Sequence, residues 1–389
     1  MPGTISQEEL QKEFPHINRG LDGIVAFSST KSSIDGEKGE LIYAGYLIDD
    51  LAEHATFEEV CFLLWHDRLP NQSELDELNS ALQSQRALPD SVINYLKTTS
   101  PDSEPMGVLR TAVSMLADDD DDPSERNPEA YYKKAVNITA KIPGIIAAYA
   151  RARKNKDIVE PLDHGSTAYN FLYMLNGEEP GNKAQKTMDV CLILHAEHGM
   201  NASTFTSRTI CATESDIYSA VTGAIGALKG PLHGGANQAV MNMLLNFMAD
   251  DDLADPAEFV KGKLERKEKI MGFGHRVYKV FDPRAKILRK MAKGLAEETG
   301  QKQLYEWSET ILKTMKDEKD IDPNVDFFSA TVYYSMGIQP DLFTTIFTMS
   351  RAAGWTGHYM EQAANNRLIR PRAHYVGPEK LDIEPIEER

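Results

Sequence analysis

The sequence predicts an all-α fold of two domains, with one small β element near the N-terminus. Apolar residues recur at the three- and four-residue spacing of amphipathic helices through nearly all of the chain after residue 50. Only residues 23–46 alternate as strands do, around turns at Asp35-Gly36 and Lys38-Gly39. With 389 residues, the chain is too long for one core of ordinary size, which indicates two domains.

The helices follow from their start and stop signals. Thr56 and Glu59 form a capping box, and the helix that begins there ends before Pro70. A long helix over residues 129–150 contains Pro143, which we expect to bend or split it. Further helices are predicted over residues 73–84, 91–98, 163–176, 184–198, 236–249, 256–269, 283–298, 303–316, 326–336 and 341–364, and Ser215 caps another that runs to about Leu228.

Two glycine-rich breaks suggest where the domains divide. The breaks at 230–235 and 272–274 bracket helices that would form a smaller domain, and Pro340 marks the return of the chain. The sequence therefore predicts a large helical domain in residues 1–230, a small domain in 231–337, and a return to the large domain with a C-terminal tail in 338–389.

Composition excludes several classes of function. The formal net charge of −17 argues against nucleic acid as a partner, because such proteins need a basic face. No apolar run approaches the roughly 18 residues that span a membrane, and the N-terminal residues do not resemble a signal peptide. The 3 cysteines lie far apart in apolar surroundings, which indicates thiols in a reducing compartment and a cytoplasmic protein.

Residues 272–284, GFGHRVYKVFDPR, carry the strongest chemical signal. His275 follows a Gly-Phe-Gly turn, and Asp282 with the proline after it marks a helix start. Arg284 then lies in the first turn of that helix. A proton donor beside a guanidinium predicts a small organic acid with a reactive carbonyl as the ligand.

Three other residues have a possible chemical role. His233, in KGPLHGGANQ, precedes a helix that starts near Ala236 and whose dipole would keep the imidazole neutral and able to donate. Asp326 begins a helix among apolar residues, where desolvation raises the pKa and suits proton abstraction from carbon. Arg351 lies mid-helix among apolar neighbours and needs an anionic partner, either a substrate or a structural acid. Each residue taken alone also has an ordinary structural interpretation.

A metal site is the rival interpretation of the segment HAEHGMNAS. His195 and His198 lie three residues apart on the predicted helix and would face the same side, while Glu197 points elsewhere. A zinc site would need a third ligand, and the HExxH order is absent. We therefore predict no metal, with one packed and one functional histidine.

These motifs resemble those of the citrate synthase family, in the same order, over roughly residues 18–376. GFGHRVYKVFDPR matches the family signature at every defined position. Four other segments of this chain resemble the family's remaining core motifs: KGPLHGGANQ, HAEHGMNAST, NVDFFSA and SRAAGW. The resemblance implies a citrate synthase-like homodimer, mostly helical, whose domains close over the substrates. It also implies condensation of acetyl-CoA with oxaloacetate and hydrolysis of citryl-CoA.

The resemblance further implies a role for individual residues. Asp326 would take a proton from the acetyl methyl group, His233 would donate to the thioester carbonyl, and His275 would donate to the oxaloacetate carbonyl. Four residues would bind oxaloacetate, the last from the other subunit: His198, Arg284, Arg351 and Arg370. CoA contacts are expected at Arg276, Lys279 and Lys269. No cofactor would be bound permanently, and acetyl-CoA would act as a co-substrate.

Two alternatives stay open from the sequence. A 2-methylcitrate synthase uses propionyl-CoA with the same catalytic residues, and one methylene in a pocket is worth only about 1–3 kcal/mol. A non-catalytic metabolite-binding paralogue would be expected to lack Asp326, His233 or His275, all of which are present.

Overall fold

A computed structural model of the chain describes residues 12, 14–21, 23–249, 255–275 and 277–389. The described residues fall into two compact units. The larger unit is Thr30–Arg367, and the smaller unit joins the described residues up to Ser29 to Leu368–Arg389. Within the smaller unit, the ring of Phe14 packs on His374 with 4.2 Å between centroids. The predicted domain boundaries after residues 230 and 337 remain predictions.

Helices dominate the larger unit, which confirms the predicted all-α class. In chain order they are α1 Ile48–His54, α2 Phe57–His66, α3 Gln72–Ser84, α4 Asp90–Thr98, α5 Pro105–Met115, α6 Pro128–Ala152, α7 Thr167–Asn176, α8 Asn182–His195, α9 Ala202–Ala212, α10 Ile217–Leu228, α11 Ala236–Met248, α12 Pro256–Glu265, α13 Pro283–Thr299, α14 Lys302–Lys319, α15 Val325–Ser335 and α16 Phe343–Ala364. None of the described helices combines the length and the apolar character that a bilayer crossing needs.

The small β element is a three-stranded antiparallel sheet of β1 Ser32–Asp35, β2 Glu40–Tyr43 and β3 Tyr46–Leu47. Asp35 pairs with Glu40 at the closed end of the first hairpin, as the predicted turns require. The predicted strand pattern reaches further back, but the strands begin only at residue 32. Tyr43 is fully buried, so the sheet is anchored to the helical core.

Most predicted helices are present, with some ends shifted. The capping box of Thr56 and Glu59 is formed. Helix α6 passes through Pro143 without a break, because burial on both sides of the proline outweighs its missing hydrogen bond. Helix α8 ends at His195 and α12 ends at Glu265, each earlier than predicted. Helices α1, α5 and α9 were not predicted, although Pro105 stands at the first position of α5 and Asn201 caps α9.

Helix α16 forms the centre of the larger unit and is buried along most of its length. It packs against α2, α6, α8, α9 and α10. Helix α15 packs against α11 and α13. Because α13, α15 and α16 are packed against other helices, the backbone positions of the motif residues that they carry are fixed.

Candidate active site

The predicted Gly-Phe-Gly turn is present and is joined to the start of α15. Gly272 has a φ of 85°, and a Cβ there would lie 2.9 Å from the Cβ of Phe327. Asn324, which caps α15, donates through its side-chain amide to the carbonyl oxygen of Gly274 at 3.0 Å. The turn that precedes His275 is therefore fixed against the helix that carries Asp326.

His275 has its ring hydrogen placed by the local backbone. Its Nδ1 accepts from the N–H groups of Val277 and Tyr278 at 3.0 and 3.1 Å. The hydrogen must then lie on Nε2. Burial, followed by the charge of Arg284, lowers the pKa of His275 to about 4, so the imidazole is neutral and donates through Nε2.

Arg284 lies in the first turn of α13, as predicted, and is paired with the acid that caps the helix. Asp282 accepts from the backbone N–H of Arg284 at 3.0 Å and from its Nε and Nη2 at 3.1 and 2.8 Å. A second role of Asp282 was missed from the sequence: the same carboxylate accepts from the N–H of Val325 at 3.2 Å. The pair leaves Nη1 of Arg284 for a ligand.

His198 lies in the turn after α8, beside His275. The two rings are 5.4 Å apart between centroids, and Nε2 of His198 is 3.3 Å from the hydroxyl of Tyr278. Burial, Arg284 and Arg351 keep the pKa of His198 well below its usual value. Tyr278 was not predicted as a site residue, since its partner is 80 residues away in the sequence.

Asp326 is the second residue of α15 and is partly buried. Burial raises its pKa to about 6, while the charge of Arg284 acts in the opposite direction. A carboxylate with a raised pKa is a stronger base than an exposed one. The sequence predicted both the helix start and the direction of the shift.

His233 lies just before α11, which begins at Ala236 as predicted. Its Nε2 is 2.8 Å from Oγ of Ser203 and accepts from the N–H of Ser203 at 3.4 Å. The ring hydrogen is therefore on Nδ1 and available to a ligand. The pKa is lowered to about 4 by burial first and by Arg351 second, which are not the helix-dipole cause expected from the sequence.

Arg351 is buried in α16 and its guanidinium lies over the ring of Phe347, 4.7 Å from the centroid. Nε donates to the carbonyl oxygen of His195 at 2.7 Å. Burial lowers the pKa of Arg351 to about 10, a range in which it stays charged. Arg284 and Arg351 both act on the pKa of His198, so the two guanidinium groups flank one site.

The expectation that His195 and His198 share a helical face is wrong. Helix α8 ends at His195, and Nδ1 of His195 lies 2.8 Å from the carbonyl oxygen of Cys191. His195 is thus the packed histidine, while the chain turns before His198. The geometry on which the zinc hypothesis depends is absent.

The remaining candidates make no described contact with these residues, or lie in the smaller unit or outside the described residues. Lys279 is exposed and donates from its backbone N–H to the carbonyl oxygen of Gly36 at 2.9 Å. Lys269 is exposed beyond the end of α12, and Arg370 is exposed in the smaller unit. Arg276 lies outside the described residues.

Comparison with known proteins identifies the family to which a chain with these residues belongs. The family model described as "Citrate synthase, C-terminal domain" matches residues 20–372. The chain belongs to the citrate synthase family. It is 53% identical to citrate synthase 2 of Bacillus subtilis, over 95% of this chain and 99% of that one. It is 49% identical to citrate synthase of Haloferax volcanii, over 96% and 99%. The family transfers an acyl group in a condensation reaction, and this chain is such a transferase.

Three further comparisons bear on the substrates and on the fold. 2-Methylcitrate synthase 1 of Corynebacterium glutamicum is 41% identical, over 96% of this chain and 98% of that one. The crystal structure of citrate synthase from Pyrobaculum aerophilum has a TM-score of 0.89 at 38% identity, covering 96% and 95%. The ternary complex of Thermoplasma acidophilum citrate synthase with carboxymethyl coenzyme A and oxaloacetate has a TM-score of 0.88 at 33% identity, covering 96% and 99%. The citrate synthase fold is therefore that of this chain.

Proposed function

We propose that this chain condenses acetyl-CoA with oxaloacetate and hydrolyses citryl-CoA to citrate and CoA. The observation that carries the proposal is the set of proton positions. Asp326 has a raised pKa, His233 has its hydrogen on Nδ1, and His275 has its hydrogen on Nε2. One base and two neutral donors are what a condensation through an enol requires.

In the first step, Asp326 takes a proton from the methyl group of acetyl-CoA. That methyl group is a weak carbon acid, so the carboxylate needs help from a group that stabilises the enolate as it forms. Nδ1–H of His233 donates to the thioester oxygen, where the charge develops. Because His233 is already neutral and held by Ser203, no reorganisation is needed at that moment.

In the second step, the enol carbon attacks the carbonyl carbon of oxaloacetate. Nε2–H of His275 donates to the carbonyl oxygen, which becomes the hydroxyl group of the product. His198 and the two guanidinium groups of Arg284 and Arg351 bind the substrate's carboxylates. A cluster of cations explains how a protein of net charge −17 binds a dianion.

The complete site includes Arg370 from the second subunit of a homodimer. Closure of the small domain over the large domain excludes water until citryl-CoA has formed, which limits hydrolysis of acetyl-CoA. The CoA phosphates are bound by cations around the site entrance, for which Arg276, Lys279 and Lys269 are the candidates. The three cysteines are buried free thiols, which favours the reducing cytoplasm.

A second candidate function is that of a 2-methylcitrate synthase, which the identity to the Corynebacterium glutamicum relative favours. It would use propionyl-CoA with each of these residues in the same role. A non-catalytic paralogue is disfavoured, because the base and both donors are present and correctly protonated.

The test is thiol release from acetyl-CoA and from propionyl-CoA, each with oxaloacetate, compared as kcat/KM. Higher kcat/KM with acetyl-CoA supports the first function, and higher kcat/KM with propionyl-CoA supports the second. Asp326→Asn serves as the control and should lower kcat by about 10²–10⁴ with either thioester. No thiol release from the wild-type chain would refute both.

A further inference from the structure

Glu197 is a fully buried carboxylate that the proposed mechanism does not use. It lies in the turn between α8 and His198. Its Oε1 accepts from Oγ of Ser32 at 3.0 Å and lies 3.1 Å from Nε2 of His358, off the line of an ideal hydrogen bond. Its Oε2 accepts no hydrogen bond from any described residue. A buried carboxylate oxygen without a partner is costly, so its retention needs a reason.

The carboxylate lies over one stripe of α16. Arg351, Gly354 and His358 stand at spacings of three and four residues, which places them on one face of the helix. A Cβ at Gly354 would lie 2.6 Å from Oε2 of Glu197 and 2.3 Å from the carbonyl oxygen of Ala196. Glycine therefore permits the contact, and the unpartnered oxygen rests about one helical turn from Arg351.

Arg351 is coupled to this carboxylate without being paired to it. Burial lowers the pKa of Arg351, and the charge of Glu197 opposes that effect most strongly. Burial would likewise raise the pKa of Glu197, but His358 and Arg351 hold it below its usual value. Among the described residues, Glu197 lies within salt-bridge distance of His358 and not of Arg351.

His358 is itself fixed from its other side. Nη1 of Arg208 is 3.0 Å from Nδ1 of His358. A guanidinium only donates, so Nδ1 accepts and the ring hydrogen lies on Nε2, facing Glu197. Arg208 is held in turn by Glu361 and by Oε1 of Gln362. The imidazole therefore presents a positioned donor to Glu197.

We propose that His358 is a positioning residue that keeps the Glu197 carboxylate off Arg351, so that Arg351 stays free for a carboxylate of oxaloacetate. This inference rests on the proposed function and concerns the same site. Without the Nε2–H of His358, the Glu197 side chain would be stabilised by turning its unpartnered oxygen toward the guanidinium of Arg351 and forming an ion pair with it. It then acts as an internal competitor of the substrate. When His358 holds Glu197 in place, the carboxylate partly neutralises the charge of Arg351 in the empty site without blocking the position of the substrate carboxylate.

The test uses three variants of the full chain, measured by the KM for oxaloacetate, kcat, and calorimetric binding of oxaloacetate. His358→Leu removes the donor and should raise KM and Kd by about tenfold while kcat stays within about threefold, as one competing contact predicts. His358→Gln keeps a donor and should stay within about threefold of wild type. His358→Leu combined with Glu197→Gln should return KM to within about threefold, because an amide does not compete for a guanidinium as a carboxylate does.

Tyr359→Phe is the matched control, since it removes a partly buried hydrogen bond to Ser215 from the next residue of α16. It should leave KM unchanged. An unchanged KM in His358→Leu overturns the inference. A double variant whose KM stays raised also overturns it, because that result is expected if His358 has only a structural role. If His358→Leu does not fold, the single variant Glu197→Gln tests the inference instead.

A KM of Glu197→Gln for oxaloacetate at or below that of wild type supports the inference, and a tenfold rise overturns it. Wild-type protein that does not bind oxaloacetate would instead refute the proposed function.

Discussion

Asp282 and Arg284 form a buried, two-point ion pair, with Nε and Nη2 of the arginine 3.1 and 2.8 Å from the carboxylate. The same carboxylate accepts from the N–H of Val325. One acid therefore orients the guanidinium that is proposed to bind oxaloacetate and also holds the start of the helix that carries Asp326. Burial raises the pKa of Asp326 most, the charge of Arg284 lowers it, and the charge of Asp282 adds a smaller upward contribution.

Replacing Asp282 with Asn tests this double role. The amide keeps an acceptor but loses the charge, so stability should fall by about 3–5 kcal/mol, as for other broken buried ion pairs. The pKa of Asp326, which burial raises to about 6, should fall somewhat, because the smaller upward contribution of the Asp282 charge is removed while Arg284 remains. The acidic limb of kcat should then move to lower pH. A limb that stays in place, in a protein that folds, would contradict the assignment of Asp326 as the base.

Tyr278→Phe removes the hydroxyl that lies 3.3 Å from Nε2 of His198 and leaves the ring in place. The His198 imidazole then loses a partner in a buried site, so we expect the KM for oxaloacetate to rise about two- to tenfold. Because neither the base nor the two proposed donors is touched, kcat should change less than KM. Steady-state kinetics with oxaloacetate as the varied substrate measures both. A large fall in kcat with an unchanged KM would show that Tyr278 acts elsewhere.

Asp189 and Glu58 are two buried acids that the proposed mechanism does not use. Asp189 accepts from the N–H of Phe57 at 3.0 Å, and Glu58 accepts from that of Thr167 at 2.7 Å, so each acid holds the start of another helix. Burial and the neighbouring Glu58 raise the pKa of Asp189 to about 7. The folded state thus binds this proton more tightly than the unfolded state, in which the pKa is about 3.9. Stability is therefore lost as pH rises from about 4 to above 7.

Asp189→Asn keeps an acceptor for Phe57 and removes the titration. We expect the stability gained by the variant over wild type to grow by about 2–3 kcal/mol between pH 5 and pH 8, because over this range the unfolded wild-type chain is ionised at Asp189 while the folded state keeps the proton until about pH 7. Thermal unfolding at both pH values measures the difference. Asp163→Asn, at an exposed aspartate, is the control and should show no such pH dependence. A variant less stable than wild type at pH 8 would mean that the carboxylate is needed as an anion.

Local patterns in the sequence predicted the chemistry better than the contacts that support it. Some features depend only on residues that are adjacent in the sequence, so they were predictable: the glycine turn, the cap at Asp282 and the helix start before Asp326. The end of α8 was not, because Ala196 and Glu197 are compatible with a helix. The hydroxyl of Tyr43, 154 residues away, donates to the carbonyl oxygen of Glu197 at 2.7 Å and accepts from its N–H at 3.2 Å. That long-range contact holds the chain after His195 in a turn.

Arg370 tests whether the active site is shared between subunits. We expect Arg370→Ala to raise the KM for oxaloacetate by about tenfold or more, since a charged contact to a dianion is lost. Mixing Arg370→Ala with Asp326→Asn after dissociation and reassembly gives the sharper result. In a mixed dimer one site would combine an intact Asp326 with the partner subunit's intact arginine, so activity should return toward a quarter of that of wild type, because half of the dimers are mixed and each has one complete site. If Arg370 served its own subunit, every site in every dimer would carry one of the two defects. No recovery in a mixture that has exchanged subunits would therefore place Arg370 in its own subunit's site.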